Sequence, residues 1–359
     1  MKKKVLVAMS GGVDSSVAAY LLKEQGYDCI GVTMRLYNNE EIGIPKGHTC
    51  CSLDDVEDAR SVCFRLGIDF QVYDFSHDFD QKVIEKFVDY YRKGWTPNPC
   101  VDCNRYLKFD KLLQRAEELG CDYVASGHYA RVEKRGDHYA LLRGIDESKD
   151  QSYALYHFTQ ESLAHTLLPV GNYRKTEIRK IAEEQGFINA RKHDSQDICF
   201  VPDGDYVGFL ERREHKSFEP GEIRTEKGKV VGRHKGAIAY TIGQRRGLGV
   251  AMKEPMYVYG KDMEKNQVFI GPEEKLYARG LLAADWNWVE ETEKDEVAVT
   301  AKVRYGQKDQ PARLLPQADG TVRLLFDEKQ RAIAPGQSVV CYQGDRVIGG
   351  GTIVALQEE

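Results

Sequence analysis

Ser10-Gly11-Gly12-Val13-Asp14-Ser15-Ser16 follows the apolar run from Val5 to Met9 and precedes a helix-patterned stretch from Val17 to Gln25. Two glycines allow a tight turn that brings backbone N–H groups close to an anion, and the helix behind offers its positive N-terminal end. Strand, glycine turn and helix is the setting in which a loop grips phosphate. A Walker-type loop would set a lysine between the β- and γ-phosphates, but here Asp14 stands and no lysine does. A carboxylate in that place repels phosphate unless Mg²⁺ lies between them, so Asp14 implies a metal held through the phosphates. The plainer alternative is an Asx turn that caps a helix.

Thiols form the second set of reactive groups. In Thr96-Pro97-Asn98-Pro99-Cys100-Val101-Asp102-Cys103-Asn104 the prolines put Cys100 and Cys103 on a rigid loop or a helix start, where a thiolate is favoured. A structural metal there needs two more ligands, for which Cys50 and Cys51 are candidates; a purely structural thiol pair is the other reading. Cys199, in Asp194-Ser195-Gln196-Asp197-Ile198-Cys199-Phe200, has the flanks of a core residue. Cys29, Cys63, Cys121 and Cys341 fit core packing within strand or helix patterns.

Apolar runs alternating with helical patterns up to about residue 200 predict a parallel sheet wrapped by helices, an α/β domain whose ligands lie beyond the carboxyl ends of its strands. Strands are expected over 5–9, 29–34, 70–73 and 123–126, and helices over 16–25, 54–66, 79–92, 109–119 and 175–185, with a hairpin joining 130–133 to 139–143. Beyond Pro202 long helical patterns give way to short β-rich runs over 228–232, 237–241, 256–259 and 267–270. Alternating segments over 297–303, 322–326, 338–342 and 351–356 suggest a small antiparallel barrel or sandwich. The expected division is 1–202, 203–276 and 277–359.

With 359 residues the chain can bury several cores, and nine unevenly spread cysteines do not make a disulfide framework. Lys2-Lys3-Lys4 precedes too few apolar residues for a secretory signal, and no run reaches membrane-span length, so a cytoplasmic location away from membranes is expected. A net charge of −5 argues against a generally basic nucleic-acid binder. Between Arg174 and Arg246, however, 16 Lys and Arg face 12 Asp and Glu, a local excess that suits either a phosphate-rich partner or a solvated face.

The loop from Ser10 to Ser15 resembles the SGGxDS signature of the ATP-pyrophosphatase (PP-loop) superfamily, whose members cleave ATP between the α- and β-phosphates and attach AMP to a carbonyl or carboxyl oxygen. Together with Asn98-Pro99, Cys103-Asn104, Gly127-His128-Tyr129-Ala130, Lys149-Asp150-Gln151-Ser152-Tyr153, Asp194-Ser195, Ile198-Cys199-Phe200, the run from Tyr240 to Gly247 and Gly349-Gly350-Gly351, the chain resembles tRNA-specific 2-thiouridylases of the MnmA/TrmU family along nearly its whole length.

That resemblance implies an adenine nucleotide alpha-hydrolase-like α/β domain with a parallel sheet, followed by two smaller β-rich domains, the last a β-barrel. It also implies ATP-dependent adenylation of the C2 oxygen of the wobble uridine, position 34 of the tRNA, and replacement of that oxygen by persulfide sulfur, giving 2-thiouridine, AMP and pyrophosphate. Cys103 is the implied nucleophile, because some members carry aspartate where Cys100 stands, and Cys199 the implied persulfide carrier; the two would form a transient disulfide. A cysteine desulfurase or sulfur-relay protein would supply the persulfide. ATP, with Mg²⁺, would lie against Ala8, Met9, Ser10, Gly11, Gly12, Val13, Asp14, Ser15, Met34 and Gly127. Asn98, Pro99 and Cys100 would line the target base, and His128, Lys149, Asp150, Gln151, Arg304, Tyr305 and Gln343 would meet tRNA. Two rivals stay open at this level. One is an AMP-forming amide synthetase; the other is a non-catalytic tRNA-binding module with zinc or an iron–sulfur cluster at Cys100 and Cys103.

Overall fold

A computed structural model describes residues 2–37, 53–194, 198–292 and 295–357. In chain order the first strands are β1 (Lys4–Ala8), β2 (Asp28–Arg35), β3 (Asp69–Asp74), β4 (Tyr123–Ala125), the hairpin β5 (Ala130–Arg135) and β6 (His138–Arg143), and β7 (Thr166–Leu167). Five of them form a parallel sheet in the order β3-β2-β1-β4-β7. β1 is apolar on both faces because both are covered. Val5 and Val7 pack with helix α1 (Val13–Glu24) and helix α2 (Leu53–Leu66), while Leu6 and Ala8 pack with the helices on the other face, around Phe79, Phe87, Leu107 and Leu112. Strand order reverses between β1 and β4, and the crevice opened there receives the turn after β1.

After the helix Tyr206–Glu214, strands β8 (Gly221–Thr225), β9 (Val230–His234), β10 (Tyr257–Asp262) and β11 (Gln267–Gly271) make a small sheet around Ile223, Val258, Val268 and Ile270. The strands β12 (Tyr277–Trp288), β13 (Val297–Lys302), β14 (Gln310–Pro316), β15 (Val322–Arg331), β16 (Ser338–Gln343) and β17 (Arg346–Gln357) follow. They pair in the order β12-β15-β14-β13-β16-β17, and β12 closes on β17 to give a six-stranded barrel. Closure removes the exposed edges of an antiparallel sheet of this size.

The structure departs from the sequence expectations at four places. The hairpin β5–β6 leaves the parallel sheet and joins the barrel sheet, with Leu142 opposite Arg346 of β17. The helix expected over 109–119 begins at Pro99 and runs through Pro99–Asp102, Cys103–Lys111 and Leu112–Glu118, because proline in the first turn lacks only an N–H that a helix start leaves unused. Between Cys103 and Lys111 its turns widen to π-helical spacing. A helix, Tyr206–Glu214, forms where only β-rich runs were expected; the Asp205 side chain caps it by accepting from the Gly208 N–H at 3.0 Å. The run 237–241 is a 3₁₀ turn, Ala237–Ala239, rather than a strand.

The apolar cluster joining the two halves holds Tyr153, Phe158, Val340, Tyr342 and Val347, with Phe109 from the cysteine-bearing helix. His157 lies buried beside it, its ring 5.4 Å from that of Phe158 and 6.3 Å from that of Phe109, and neither ring nitrogen has a hydrogen-bond partner among the described residues. Burial therefore holds the imidazole neutral and pushes its pKa down to about 3, with Arg105 adding to the effect. The unfolded chain takes up this proton below the ordinary value of 6.5, so the stability contribution is lost as the pH falls from about 6.5 towards 3. His157→Leu should shrink the difference in unfolding free energy between pH 7 and pH 5 by about 2 kcal/mol, measured by urea titration at both pH values.

Candidate active site

The turn after β1 is held by its own hydroxyls and by close backbone contacts. Ser15 Oγ donates to the Gly12 carbonyl at 3.0 Å and accepts from the Ser10 N–H at 3.2 Å; Ser16 Oγ also donates to Gly12. Gly11 has φ +72° and lies against the backbone of Asp55 at the start of α2, where an added Cβ would meet the Asp55 carbonyl oxygen at 2.4 Å. Gly127, just past β4, presses from the other side: its Cβ would lie 2.6 Å from both the Asp14 carbonyl carbon and the Ser15 nitrogen. Ala8 to Ser15, Gly127 and Met34, near the end of the neighbouring strand β2, therefore share the carboxyl edge of the sheet.

No lysine follows the glycines in sequence, but folding brings one. Lys175, at the start of the helix Lys175–Glu184, places Nζ 2.7 and 2.8 Å from the two carboxylate oxygens of Asp14, and the Tyr129 hydroxyl donates to the same carboxylate at 2.6 Å. Burial and the Asp14 charge both push the Tyr129 phenol above its ordinary range, so it stays protonated as a donor. Lys175 Nζ also lies 2.7 Å from Asp194, which accepts from Lys149 at 2.8 Å. Burial favours the neutral Asp194 carboxyl, but Lys149 and Lys175 outweigh it and hold its pKa down at about 2. Lys192 and Asn189 both donate to the Gly11 carbonyl, which fastens this later segment to the loop. Sequence reasoning missed Lys175, Lys192 and Asn189, each one polar residue with no local pattern to mark it, and gave Tyr129 no role although it stands in the quoted run Gly127-His128-Tyr129-Ala130.

Cys103 is buried and Cys199 partly buried, and both belong to one apolar cluster with Tyr37, Phe79 and Phe200. The Tyr37 hydroxyl donates to the Cys199 carbonyl at 2.8 Å. On the cysteine helix, the buried Asp102 accepts from Lys86 at 2.7 Å. Burial disfavours the Lys86 charge, but Asp102 more than compensates and raises its pKa. Arg105 bonds Asp285 of β12 at 2.7 Å, and from the barrel Gln337 donates to the carbonyls of Thr96 and Pro97. The barrel thereby fixes the loop that leads into Asn98, Pro99 and the exposed Cys100. Among the described residues no group of three or more His, Cys, Asp or Glu side chains is gathered to hold a metal, while Cys50, Cys51 and 195–197 lie outside the described residues.

Of the seven residues expected at an RNA surface, two are buried, four partly exposed and one exposed. His128 is buried with Nδ1 2.7 Å from Ser126 Oγ, and buried Asp150 accepts from the Gly144 and Ser152 N–H groups; both shape the turns around them. Gln151 accepts from the Tyr129 N–H, and Arg304 donates to the carbonyls of Ile242 and Ala332, tying the barrel to the central sheet. Lys149 and Gln343 are partly exposed, with Gln343 donating to the Ala298 carbonyl. Tyr305 is 49 % exposed, its ring 5.9 Å from that of the buried Tyr153.

Residues 3–203 match a family model described as tRNA methyl transferase HUP domain, 208–272 one described as tRNA methyl transferase PRC-barrel domain, and 278–353 one described as aminomethyltransferase beta-barrel domain. Over 358 residues the chain is 50 % identical to the tRNA-specific 2-thiouridylase MnmA of Clostridium beijerinckii, covering 99 % of this chain and all of that one. It is 48 % identical over 356 residues to the protein of the same name from Clostridioides difficile, covering 98 % of each. A solved 4-thiouridine synthetase–RNA complex with bound ATP aligns at 19 % identity and a TM-score of 0.35, over 59 % of this chain and 50 % of that one.

Since Gly127 leaves no space for a Cβ, Gly127→Ala must push Asp14 and Ser15 away from their seats. Repacking of this kind costs about 1–3 kcal/mol, so Gly127→Ala should lower the unfolding free energy by that amount, measured by urea titration.

Proposed function

Because this chain belongs to the MnmA family of tRNA-specific 2-thiouridylases, we propose that the turn from Ser10 to Ser16 holds ATP while Cys103 and Cys199 deliver sulfur to the wobble uridine of a cytoplasmic tRNA. What supports this reading most is one juxtaposition: a phosphate-shaped turn at the strand-order reversal, with two cysteines far apart in sequence gathered into one cluster of the same domain. A methyl transfer suits the site less well. A methyl donor needs no adenylated oxygen and would leave both cysteines without a task.

The C2 carbonyl of uracil is amide-like and its oxygen is a very poor leaving group. The turn would orient ATP so that this oxygen attacks the α-phosphorus; a P–O bond forms, the bond to the β-phosphate bridge breaks, and pyrophosphate departs. Backbone N–H groups at the start of α1 would steady the phosphate charge. Asp14 offers one carboxylate and no further acidic cluster is gathered among the described residues, a donor set that fits Mg²⁺ carried by the substrate's own phosphates. When bound, Mg²⁺ would draw charge from the phosphates.

Sulfur would reach Cys199 as a persulfide from a cysteine desulfurase or a relay protein. By one route the Cys103 thiolate attacks Sγ of Cys199, hydrosulfide leaves, and hydrosulfide then attacks C2 and expels AMP. By the other, the terminal persulfide sulfur attacks C2 and expels AMP, and Cys103 then attacks Sγ of Cys199 to free the thiouridine. Both end in a Cys103–Cys199 disulfide, which a dithiol reductant must open with two electrons. Asn98, Pro99 and Cys100 would line the pocket for the splayed base. Tyr305, Lys149, Gln151, Arg304 and Gln343 have surface to offer RNA, whereas His128 and Asp150 would act by shaping that surface.

Single-turnover thiolation of an anticodon stem-loop, with ATP and a persulfide donor, tests the assignment. Cys103→Ser and Cys199→Ser should each lower the rate by about 1000-fold or more, as expected for removal of a nucleophile, while adenylation of the RNA continues. Full activity in either variant would sink the two-cysteine mechanism. Stoichiometric zinc or iron in the active protein would favour the metal-site rival instead.

A further inference from the structure

The proposed cycle ends with a disulfide between two sulfurs that sit among aromatic rings, and a reductant has to reach it. Cys103 is only 7 % exposed and Cys199 is partly buried, both in the cluster that holds Phe79 and Phe200. Cys199 is also the sulfur that the persulfide donor must load again. Among the described cysteines only Cys100 is exposed, and it stands one helical turn before Cys103. The Cys103 N–H donates to the carbonyls of both Cys100 and Pro99, so the backbone ties the two cysteines together in a turn of partly 3₁₀ character.

A turn closed from residue i to i+3 eclipses the two side chains and sets their Cα atoms about 5–6 Å apart, within the span of a disulfide. The turn is also held in place. Pro99 fixes its first φ, the Val101 N–H bonds the Asn98 carbonyl at 3.2 Å, and Gln337 of the barrel holds the carbonyls of Thr96 and Pro97 just ahead of it. A thiol fixed one turn from Cys103 acts on it at an effective concentration far above that of any free reductant. The pair therefore connects a buried sulfur to the surface.

We propose that Cys100 is the resolving thiol that ends each cycle. Its thiolate attacks Sγ of Cys103 in the Cys103–Cys199 disulfide; a Cys100–Cys103 bond forms, the Cys103–Cys199 bond breaks, and Cys199 leaves as a thiolate. This exchange consumes no electrons, and the Cys100 proton passes to water. An external dithiol then attacks Sγ of the exposed Cys100, expels Cys103 as a thiolate and closes to its own disulfide, which supplies the two electrons. The inference rests on the two-cysteine reading above. It divides the work: Cys199 is free for the next persulfide while the oxidised pair waits at the surface for its reductant.

The experiment uses the full chain, reduced and then freed of reductant, with ATP, Mg²⁺, an anticodon stem-loop and a persulfide donor. Samples of the first turnover are quenched in acid, remaining thiols are alkylated, and disulfides are mapped by non-reducing peptide mass spectrometry. In the wild type the Cys103–Cys199 link should appear first and decay as the Cys100–Cys103 link rises. In Cys100→Ser and Cys100→Asp the Cys103–Cys199 link should persist. Because Cys100 also lines the proposed base pocket, the variants are compared by the ratio of steady-state rate, with thioredoxin as the dithiol, to first-turnover rate. That ratio should fall about tenfold or more, as expected when an intramolecular thiol is lost. A wild type that ends with the Cys103–Cys199 link alone, or a wild-type ratio in Cys100→Ser, would overturn the resolving role and leave the two-cysteine mechanism standing. A first turnover that forms no disulfide, or that proceeds fully in Cys103→Ser, would overturn that mechanism and the resolving role with it.

Discussion

The glycine turn has backbone pressed against it on both sides, and the rest of the site depends on that confinement. Asp55 of α2 lies under Gly11, and Gly127 lies over Asp14 and Ser15, so the turn has no room to relax into another shape. Its N–H groups are thus aimed before any ligand arrives, which is what electrostatic stabilisation of a phosphoryl group requires. The parallel sheet supplies the frame. Only where strand order reverses, between β1 and β4, do two loops diverge and leave a crevice at the carboxyl edge.

Around this seat the charges are arranged so that no buried ion stands alone. Lys175 is paired with Asp14 and Asp194, and Lys192 with Asp55 and Asp58, while both lysines also connect to backbone or carboxylates of the turn. Removing one member of such a group leaves its partner uncompensated, so these contacts specify geometry more than they add stability. The thiols have a different environment. Cys103 and Cys199 share an aromatic cluster with Phe79 and Phe200, where water is scarce, while the Lys86–Asp102 pair and the Arg105–Asp285 pair anchor the helix that carries Cys103.

Much of the α/β half was legible because its signals are local. The apolar run before Ser10, glycines at helix ends and turn residues at the hairpin each act within a few positions of where they stand. Pro99 was harder to read, since the same residue breaks a helix interior and begins a helix at its first turn; neighbours alone do not say which. The Tyr206–Glu214 helix had its cap in Asp205, but the β-rich stretch after it obscured a helix of nine residues. The destination of the β5–β6 hairpin was beyond reach, because its partner strand, β17, lies some two hundred residues later and pairs through backbone atoms, which carry no residue-type signature.

By itself, the sequence determined the chemistry on offer: a turn shaped for phosphate, an acid where a Walker loop has lysine, and cysteines placed just after two prolines and in a distant polar stretch. Which of those groups meet was decided by the tertiary structure alone. Lys175 reaches Asp14 across 161 positions of sequence, and Cys199 joins the cluster of Cys103 only when the helices pack on one face of the sheet. The physical reason is range. Turn geometry, capping and strand alternation are set by neighbours along the chain, whereas the pairing of a buried ammonium with two carboxylates depends on which surfaces the whole chain removes from water.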